Sequence, residues 1–559
     1  MSVSHGARAL RRGATRVSCA AVRSIIDVAK DLGLGPEDII TFGPHIAKVA
    51  QTTVRRLAAA PKGKLVLVSA INPTKAGEGK TTVSIGLSQG MRRRGQRVAL
   101  ALREPSLGPV FGAKGGGTGG GRCKLEPSAR INLHFTGDLH AVTSAHNLLA
   151  AMVDNAIHFR AAIDLEHRQV LWRRVLDVND RVLRDIVVGL GGRSDGVPRE
   201  DGFDITAASE VMAILCLASD IPDLKARLGR ILVGFDRKGA PVTAADVGAT
   251  GAMAALLADA VLPNLVQTTE GVPAIVHGGP FGNIAHGCNS IIGTRTASGL
   301  ADYTVTEAGF GFDLGAEKFF DIKCRAAGFW PLAVVLVASV RALRSHGGGA
   351  SGQEAMAQGL SHLDHHVANV RAFGFDPVIA INVFSGDSEE DIAAVERACA
   401  NWKLLVARFT GFADGGAGAE RLADAVMEAA ARPAPSPRYL YRLEDPFEDK
   451  IASIARTIYG ASDVEFSRQA RTGLERLKKL GYGNLPVCIA KTHLSLSDDP
   501  AAVGRPSGFT LSVRTVRVSA GAGYVLALCG DIVTMPGLPA QPQALKIDLS
   551  DEGEILGVT

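Results

Sequence analysis

Residues Lys64–Thr82, KLVLVSAINPTKAGEGKTT, contain the strongest structural signal in the chain. They begin with an apolar run, Leu65–Ala70, that has the length and composition of a buried strand. A short loop follows, and then a helix-like pattern of apolar residues that includes Val83, Ile85 and Leu87. A strand, a glycine-containing loop and a helix in this order surround an anion with backbone N–H groups and a helix N-terminus. The stretch therefore predicts a phosphate-binding loop in an α/β fold.

The predicted nucleotide-binding residues are consecutive: Thr74, Lys75, Ala76, Gly77, Glu78, Gly79, Lys80 and Thr81. Lys80 supplies positive charge to the phosphates, and the hydroxyl of Thr81 is suited to Mg²⁺ bound with the nucleotide. The usual spacing has a glycine five residues before Gly79, where this chain has Thr74. A chance turn is the alternative interpretation, but the strand and helix on either side favour nucleotide binding.

Composition limits the class of protein. The chain has 559 residues, 46% of them hydrophobic, and no uninterrupted apolar run approaches the ~20 residues of a membrane helix. The net charge of +5 is not concentrated in a basic patch, so it favours small anionic substrates and not nucleic acid. The eight cysteines are scattered without a CxxC pair, which indicates a reducing compartment and neither a disulfide framework nor a zinc site.

The chain is expected to contain four segments. Residues 1–26 carry five arginines and no acidic residue, which predicts a basic N-terminal extension, with a transit peptide as the alternative. Residues 27–360 are predicted to form the nucleotide-binding and catalytic domain, and residues 21–50 are expected to be largely helical. Two smaller α/β domains are predicted at 361–437 and 438–559, separated by a proline-rich linker.

A second predicted strand, 97–102, ends on Arg103. Because ligands bind outside the carboxyl ends of parallel strands, Arg103 is expected at the same sheet edge as the phosphate loop. Its guanidinium suits a phosphate or an acyl phosphate, and the alternative is an ion pair with Glu104 or another carboxylate. Two further residues have open interpretations: Asp138 is a helix N-cap or a site residue, and Phe310 stacks on a flat ring or packs in the core.

Several long strings make the chain similar to the formate–tetrahydrofolate ligase family. They include REPSLGP (103–109), INLHFTGD (131–138), DLGAEKFFDIKCR (313–325) and TMPGLP (534–539). The resemblance runs from about residue 40 to the end. It implies a P-loop NTPase-like fold with a mostly parallel sheet, and the ATP-dependent ligation of formate to tetrahydrofolate through formyl phosphate.

The resemblance also implies roles for particular residues. Lys80 and Arg103 are the expected catalytic residues, with Arg103 holding formyl phosphate. The expected folate-binding residues are Glu104, Asp138, Phe310, Phe384 and Phe412. The implied cofactors are ATP, Mg²⁺ and a monovalent cation (K⁺ or NH₄⁺). A cytoplasmic homotetramer that binds neither membrane nor nucleic acid is also implied.

Four departures from the family pattern separate this chain from a typical member. Lys75 replaces a proline, Phe412 replaces a tryptophan, and Phe312 replaces a small residue beside Phe310. The segment after the glycine run, RCKLE (122–126), is also unlike the usual one. They leave open a catalytically weakened homologue that still binds folate or nucleotide. A P-loop regulatory ATPase is a further alternative, which would share the phosphate loop and little else.

Overall fold

The computed structural model describes residues 22–60, 62–74, 77–113, 115–160 and 163–558. Most of the predicted basic extension lies outside these residues, as do Lys75 and Ala76 of the predicted nucleotide-binding loop. The remaining six residues of that loop are described.

Helices are distributed along the whole described chain. They are α1 (Ile25–Asp31), α2 (Gln51–Ala58), α3 (Lys80–Arg93), α4 (Leu107–Phe111), α5 (Ser128–Asn132), α6 (Asp138–His158), α7 (Glu210–Leu217), α8 (Ile221–Gly229), α9 (Thr250–Leu256), α10 (Ile291–Leu300), α11 (Arg325–Ala327), α12 (Val340–Ser345), α13 (Gly352–Ala372), α14 (Glu389–Asn401), α15 (Gly411–Asp414), α16 (Glu420–Ala429), α17 (Phe447–Ile454) and α18 (Arg468–Lys479). π-Helical turns occur at Phe312–Ala316, Phe319–Cys324 and Ala455–Tyr459.

In the described part of the chain, twelve strands form one central sheet. They are β1 (Ile39–Thr41), β2 (Ala47–Val49), β3 (Lys64–Ala70), β4 (Val98–Leu102), β5 (Gly119–Gly120), β6 (Cys123–Glu126), β7 (Asn264–Thr268), β8 (Pro273–Val276), β9 (Tyr303–Glu307), β10 (Ala333–Ala338), β11 (Val378–Asn382) and β12 (Val406–Phe409). The strand order is β1-β2-β7-β8-β4-β9-β3-β10-β11-β12, and β6 pairs with β7 and β5.

The central sheet is mixed but mostly parallel, which confirms the predicted α/β class. All neighbouring strands from β8 to β12 in this order are parallel, and the antiparallel pairs involve β1, β2, β5, β6 and β7. Parallel strands are covered by helices on both faces, so they consist of continuous apolar runs. Strand β10 shows this, because all six of its residues are buried.

Strand β9 lies between β3 and β4, although it follows them by some 200 residues. Val305 in β9 is paired with Val66 on one side and with Leu100 on the other. The phosphate loop after β3 and Arg103 after β4 are therefore separated by the carboxyl end of β9. This placement brings the segment after Glu307 between the two predicted catalytic residues.

The region 361–437, predicted as a separate small domain, extends the central sheet. Its strands β11 and β12 continue the parallel series next to β10. The predicted boundary at residue 360 therefore falls within one continuous sheet.

A second sheet is formed by β13 (Asp463–Phe466), β14 (Val487–Ala490), β15 (Thr510–Ser519) and β16 (Tyr524–Cys529), in the order β13-β15-β16-β14. It shares a hydrophobic core with the central sheet, since Val487 and Val525 belong to the same buried cluster as Leu67 and Leu336. Strand pairs outside the two large sheets are Arg174–Leu176 with Phe203–Ile205, Ile186–Val188 with Arg199–Asp201, Leu232–Phe235 with Pro241–Thr243, and Asp548–Leu549 with Ile555–Leu556.

The expectation that residues 21–50 are largely helical is wrong beyond Asp31. Apart from one short 3₁₀ turn, the described chain there forms β1 and β2, and Lys48 in β2 pairs with Asn264 in β7. Long-range strand pairing overrides the local preference in this segment. Across the described ranges, no helix combines the length and apolarity needed to cross a membrane.

Candidate active site

The candidate site lies at the carboxyl edge of the parallel strands. The phosphate loop follows β3, Arg103 follows β4, and Phe310 follows β9. The start of α3 faces the same edge, because Gly79 caps this helix and Lys80 is its first residue. Gly79 adopts φ +71°, a left-handed conformation that favours glycine.

Glu78 shapes the phosphate loop from inside. It is 2% exposed, and its carboxylate accepts hydrogen bonds from the backbone N–H and the hydroxyl of Thr74, both at 3.1 Å, and from the Ser339 hydroxyl at 2.9 Å. The Asn382 side chain donates to the Glu78 carbonyl at 3.1 Å. Ser339 follows β10 and Asn382 is the last residue of β11, so the neighbouring strand ends hold the loop.

Asn382 also explains why Gly79 carries no side chain. A Cβ at residue 79 would lie 2.5 Å from Asn382 Nδ2. A side chain there would push Asn382 away from the Glu78 carbonyl, so the glycine permits close contact between the loop and β11.

Thr81 contacts a carboxylate that the sequence did not single out. Its hydroxyl donates to Glu307 Oε2 at 2.9 Å, and Glu307 Oε1 lies 3.9 Å from Arg103 Nη2. Glu307 is 4% exposed at the end of β9. A hydroxyl and a carboxylate are oxygen ligands of the kind that Mg²⁺ prefers. One sequence feature could have identified Glu307, namely a strand-like run that ends in a carboxylate before a glycine-rich segment.

The Arg103 guanidinium retains hydrogen-bonding capacity at the sheet edge. Its side chain is 23% exposed, and Nη1 lies 3.4 Å from the Pro280 carbonyl. Its buried Nε has no hydrogen-bond partner among the residues that the structure describes. The group lies flat against Gly309, where a Cβ would come within 2.8 Å of Nη1. The planar guanidinium therefore keeps N–H donors that are suited to an anion.

Glu104 and Asp138 lie together behind Arg103, and both are buried. Lys48 donates to the two carboxylate oxygens of Asp138 at 2.8 and 3.0 Å, and Asn264 donates to one of them at 2.7 Å. The N-cap of α6 is Gly137, so Asp138 is not the N-cap but the first helical residue.

Glu104 has an unsatisfied carboxyl group. Within the described part of the chain, its Oε2 has no hydrogen-bond partner. Burial and the nearby Asp138 carboxylate hold the pKa of Glu104 well above its usual range, while the Lys48 ammonium opposes this shift. A buried, unpartnered oxygen of this kind is available to a ligand.

Asp177 positions the segment after Glu104. Its carboxylate accepts from the Ser106 hydroxyl at 2.6 Å and from the Leu107 N–H at 2.9 Å. Burial raises the pKa of Asp177 from 3.8 to about 6, and the two hydrogen bonds oppose the rise. Ionisation of this carboxyl is therefore less favourable in the folded protein than in the unfolded chain.

We expect Asp177→Asn to reduce the loss of stability that accompanies rising pH. Because the folded pKa is raised, the carboxyl contributes stability below pH 4 and loses it as the pH rises through 6, on the order of 2–3 kcal/mol. Asparagine can bond both Ser106 and Leu107 without ionising. The measurement is the urea midpoint of both proteins at pH 4.5 and at pH 8. An equal fall of the midpoint between these pH values in both proteins would contradict the prediction.

The three predicted aromatic residues lie in different environments. Phe310 adopts φ +58°, and its ring centroid is 4.5 Å from that of His493. Phe384 lies under the Arg341 guanidinium, 4.6 Å from the ring centroid. Phe412 is 56% exposed at the far end of the parallel series. Phe310 is therefore the one of the three that follows β9, the strand beside β4 and Arg103.

Phe412 and Phe312, two of the departures from the family pattern, have different surroundings. Phe412 lies against the glycine run, where a Cβ at Gly120 would be 3.1 Å from its ring and one at Gly121 would meet its carbonyl. Phe312 is fully buried and packs near Phe320 and Phe373. The bulk of Phe312 therefore occupies the core and not the space around Phe310.

The chain is closely similar to known proteins over nearly its full length. Residues 15–559 match the profile of the family described as formate–tetrahydrofolate ligase. The formate–tetrahydrofolate ligase of Myxococcus xanthus is 54% identical over 547 residues, covering 96% of this chain and 99% of the relative. That of Paracoccus denitrificans is 55% identical over 542 residues, covering 96% and 97%. This chain therefore belongs to the formate–tetrahydrofolate ligase family.

Proposed function

We propose that the protein uses ATP to join formate to tetrahydrofolate, giving 10-formyltetrahydrofolate, ADP and phosphate. The observation that carries the proposal is the 54–55% identity to ligases of this name across 96% of the chain. The common sheet edge of the phosphate loop, Arg103 and Phe310 supports it. A regulatory ATPase would not need the last two.

The first chemical step is phosphoryl transfer. A formate oxygen attacks the γ-phosphorus of ATP, the bond to the bridging oxygen breaks, and ADP leaves with that electron pair. This reaction depends on positioning and charge neutralisation more than on a side-chain nucleophile. Lys80 and the N–H groups at the start of α3 neutralise the phosphates, and the network around Glu78 fixes the loop.

The second step transfers the formyl group. The N10 amine of the folate attacks the formyl carbon, phosphate leaves, and the amine loses its proton. We assign Arg103 to the phosphate part of formyl phosphate, because its planar donors fit two oxygens at once. Phe310 is assigned to the folate ring, Glu104 and Asp138 to the acyl-transfer end, and Phe384 and Phe412 to the outer walls.

Mg²⁺ bound with ATP supplies positive charge to the phosphates. The Thr81 hydroxyl and the Glu307 carboxylate fit such an ion, since both offer oxygen ligands. A monovalent cation, K⁺ or NH₄⁺, is proposed as an activator. Omitting each ion from the assay tests whether the reaction requires it.

The deciding experiment measures 10-formyltetrahydrofolate with ATP, formate or tetrahydrofolate omitted in turn. We expect product only when all three are present. ATP turnover that is indifferent to formate would instead support the regulatory ATPase. Ligand binding without product would identify a weakened homologue.

We expect Lys80→Ala to weaken nucleotide binding by about 10- to 100-fold, because a hydrogen bond to a charged group contributes about 1.5–3 kcal/mol. Equilibrium binding of ADP measures this directly. Arg341→Ala is the matched control, since Arg341 lies over the Phe384 ring and not at the phosphate loop. Unchanged ADP affinity in Lys80→Ala would contradict the assignment.

We propose a P-loop NTPase-like catalytic domain at 27–360, with regions 361–437 and 438–559 added to it. Supporting this, β3, the phosphate loop and α3 are consecutive, and the parallel series continues on both sides of β3. Limited proteolysis would show whether cleavage concentrates near residue 437.

We further propose a cytoplasmic homotetramer. The described cysteines are all buried free thiols, as suits a reducing compartment. Exposed apolar side chains cluster in sequence around the hairpin Ile186–Val188 and Arg199–Asp201, with Val182, Val187 and Leu190 at 72, 54 and 70% exposure. Such side chains suit an interface between subunits. Sedimentation and cell fractionation test these two points.

A further inference from the structure

The C-terminal region contributes a segment to the candidate site. Lys491–His493 directly follows β14 and extends from the second sheet to the carboxyl edge of the central sheet. Lys491 and Asp313 are fully buried and form an ion pair at 2.8 Å. The His493 ring contacts Phe310, with 4.5 Å between ring centroids. None of the predicted site residues came from this region.

Asn72 connects this segment to the phosphate loop. It is fully buried and lies two residues before Thr74. Its Nδ2 donates to Asp313 Oδ1 at 3.1 Å and to the His493 carbonyl at 3.4 Å. Because Asp313 Oδ2 accepts from Lys491, one continuous chain of polar contacts runs from the C-terminal segment to the loop.

Two histidines hold Asn72 from the other side. His346 Nε2 is 2.9 Å from the Asn72 carbonyl, and His366 Nε2 is 2.9 Å from the Asn72 side-chain oxygen. Burial lowers the pKa of both imidazoles, so they are neutral at physiological pH. His346 Nε2 donates to the Asn72 carbonyl, and His366 Nε2 lies within reach of both the Asn72 side-chain oxygen and, at 3.3 Å, the Asn72 backbone N–H, so it bonds Asn72 in either tautomer. The residue is therefore fixed by partners from separate parts of the chain.

The backbone at Gly311, next to Phe310, packs directly against Asn72 and Asp313. A Cβ at Gly311 would lie 2.4 Å from Asp313 Oδ1 and 3.2 Å from Asn72 Cα. Phe310 itself adopts φ +58°, which costs on the order of 1–3 kcal/mol for a residue other than glycine. Strain of this kind persists only where the surroundings enforce it. We therefore expect a displacement of Asn72 or Asp313 to alter the conformation around Phe310.

We propose that Asn72, Asp313, Lys491 and His493 are positioning residues that couple the phosphate loop to Phe310. Nucleotide in the loop then changes the affinity for tetrahydrofolate, and folate changes the nucleotide affinity by the same factor. The inference rests on the proposed function, because it takes the loop as the nucleotide site and Phe310 as part of the folate site.

The test is a comparison of binding constants. The dissociation constant of tetrahydrofolate is measured with and without a saturating non-hydrolysable ATP analogue, in the absence of formate. We expect a ratio of about fivefold or more in the unaltered protein, the lower end of typical coupling between sites. His493→Ala is expected to reduce the ratio below about twofold, and Asp313→Asn to do the same.

His493→Phe is the matched control, because it keeps a ring against Phe310 and leaves the backbone carbonyl that Asn72 contacts. We expect it to retain most of the coupling. A purely structural ion pair would alter the denaturation midpoint of Asp313→Asn but not the binding ratio. Should Asp313→Asn fail to fold, His493→Ala still decides the question.

The outcomes separate this inference from the proposed function. Failure of the unaltered protein to bind tetrahydrofolate would overturn the proposed function. Binding of both ligands with a ratio near one, or an unchanged ratio in His493→Ala, would overturn only the coupling. A ratio that falls in His493→Ala and persists in His493→Phe would support it.

Discussion

Arg103→Ala is expected to lower kcat for 10-formyltetrahydrofolate synthesis by about 10³-fold. Removing a donor aimed at developing negative charge costs about 10²–10³ in rate, and Arg103 offers a planar set of such donors. Within the described residues it is held only by the distant Pro280 carbonyl and by Glu307 at 3.9 Å, so its loss leaves the fold intact. Steady-state kinetics with all three substrates varied will measure the loss.

Arg103→Lys is the matched variant, because it keeps the charge but not the planar fork. We expect an intermediate kcat, with ADP binding in both variants close to that of the unaltered protein. A kcat within tenfold of the original in Arg103→Ala would remove Arg103 from the mechanism. Weakened ADP binding in both would place the guanidinium on the nucleotide and not on the acyl phosphate.

Lys48→Met is expected to destabilise the protein by about 3–5 kcal/mol, because it leaves the Asp138 carboxylate buried without its cation. Both side chains are almost completely buried, at 1 and 2% exposure, and Lys48 also donates to the Leu262 carbonyl at 3.0 Å. The midpoint of the first urea transition measures this change. At an unchanged m-value, a lower midpoint corresponds directly to a lower free energy of unfolding.

The double variant Lys48→Met with Asp138→Asn removes both charges and should recover part of this loss. The same ammonium lowers the pKa of Glu104, so its removal should raise that pKa further and affect catalysis as well. A Lys48→Met variant that is as stable as the original protein would contradict the stabilising role of this ion pair.

Local sequence predicted the centre of the fold. Within twenty consecutive residues, the sequence indicates the strand Leu65–Ala70, the loop and the start of α3. The strand that precedes Arg103 is also recognisable from its apolar run. Parallel strands share one carboxyl edge, so the common location of the phosphate loop and Arg103 followed from strand recognition alone.

The residues that were missed depend on long-range pairing. Glu307 lies between Thr81 and Arg103 because β9 is inserted between β3 and β4, which no local pattern encodes. Lys48 was not recognised as a site residue because its segment was expected to be helical. Pairing with Asn264 makes this segment a strand. Phe312 was placed beside Phe310 by adjacency in sequence, but a π-helical turn directs it into the core.

The contact between Asn72 and His493 has a consequence for biosynthesis. The two residues are 421 positions apart, so the phosphate loop is translated long before its C-terminal partner. At about 5–20 residues per second, the nascent chain waits roughly 20–80 s before this contact can form. During that interval the amide of Asn72 lacks one of its final partners, and the central sheet lacks the second sheet that covers part of its core. A ribosome-bound chain is therefore unable to complete the site until residue 493 has been synthesised.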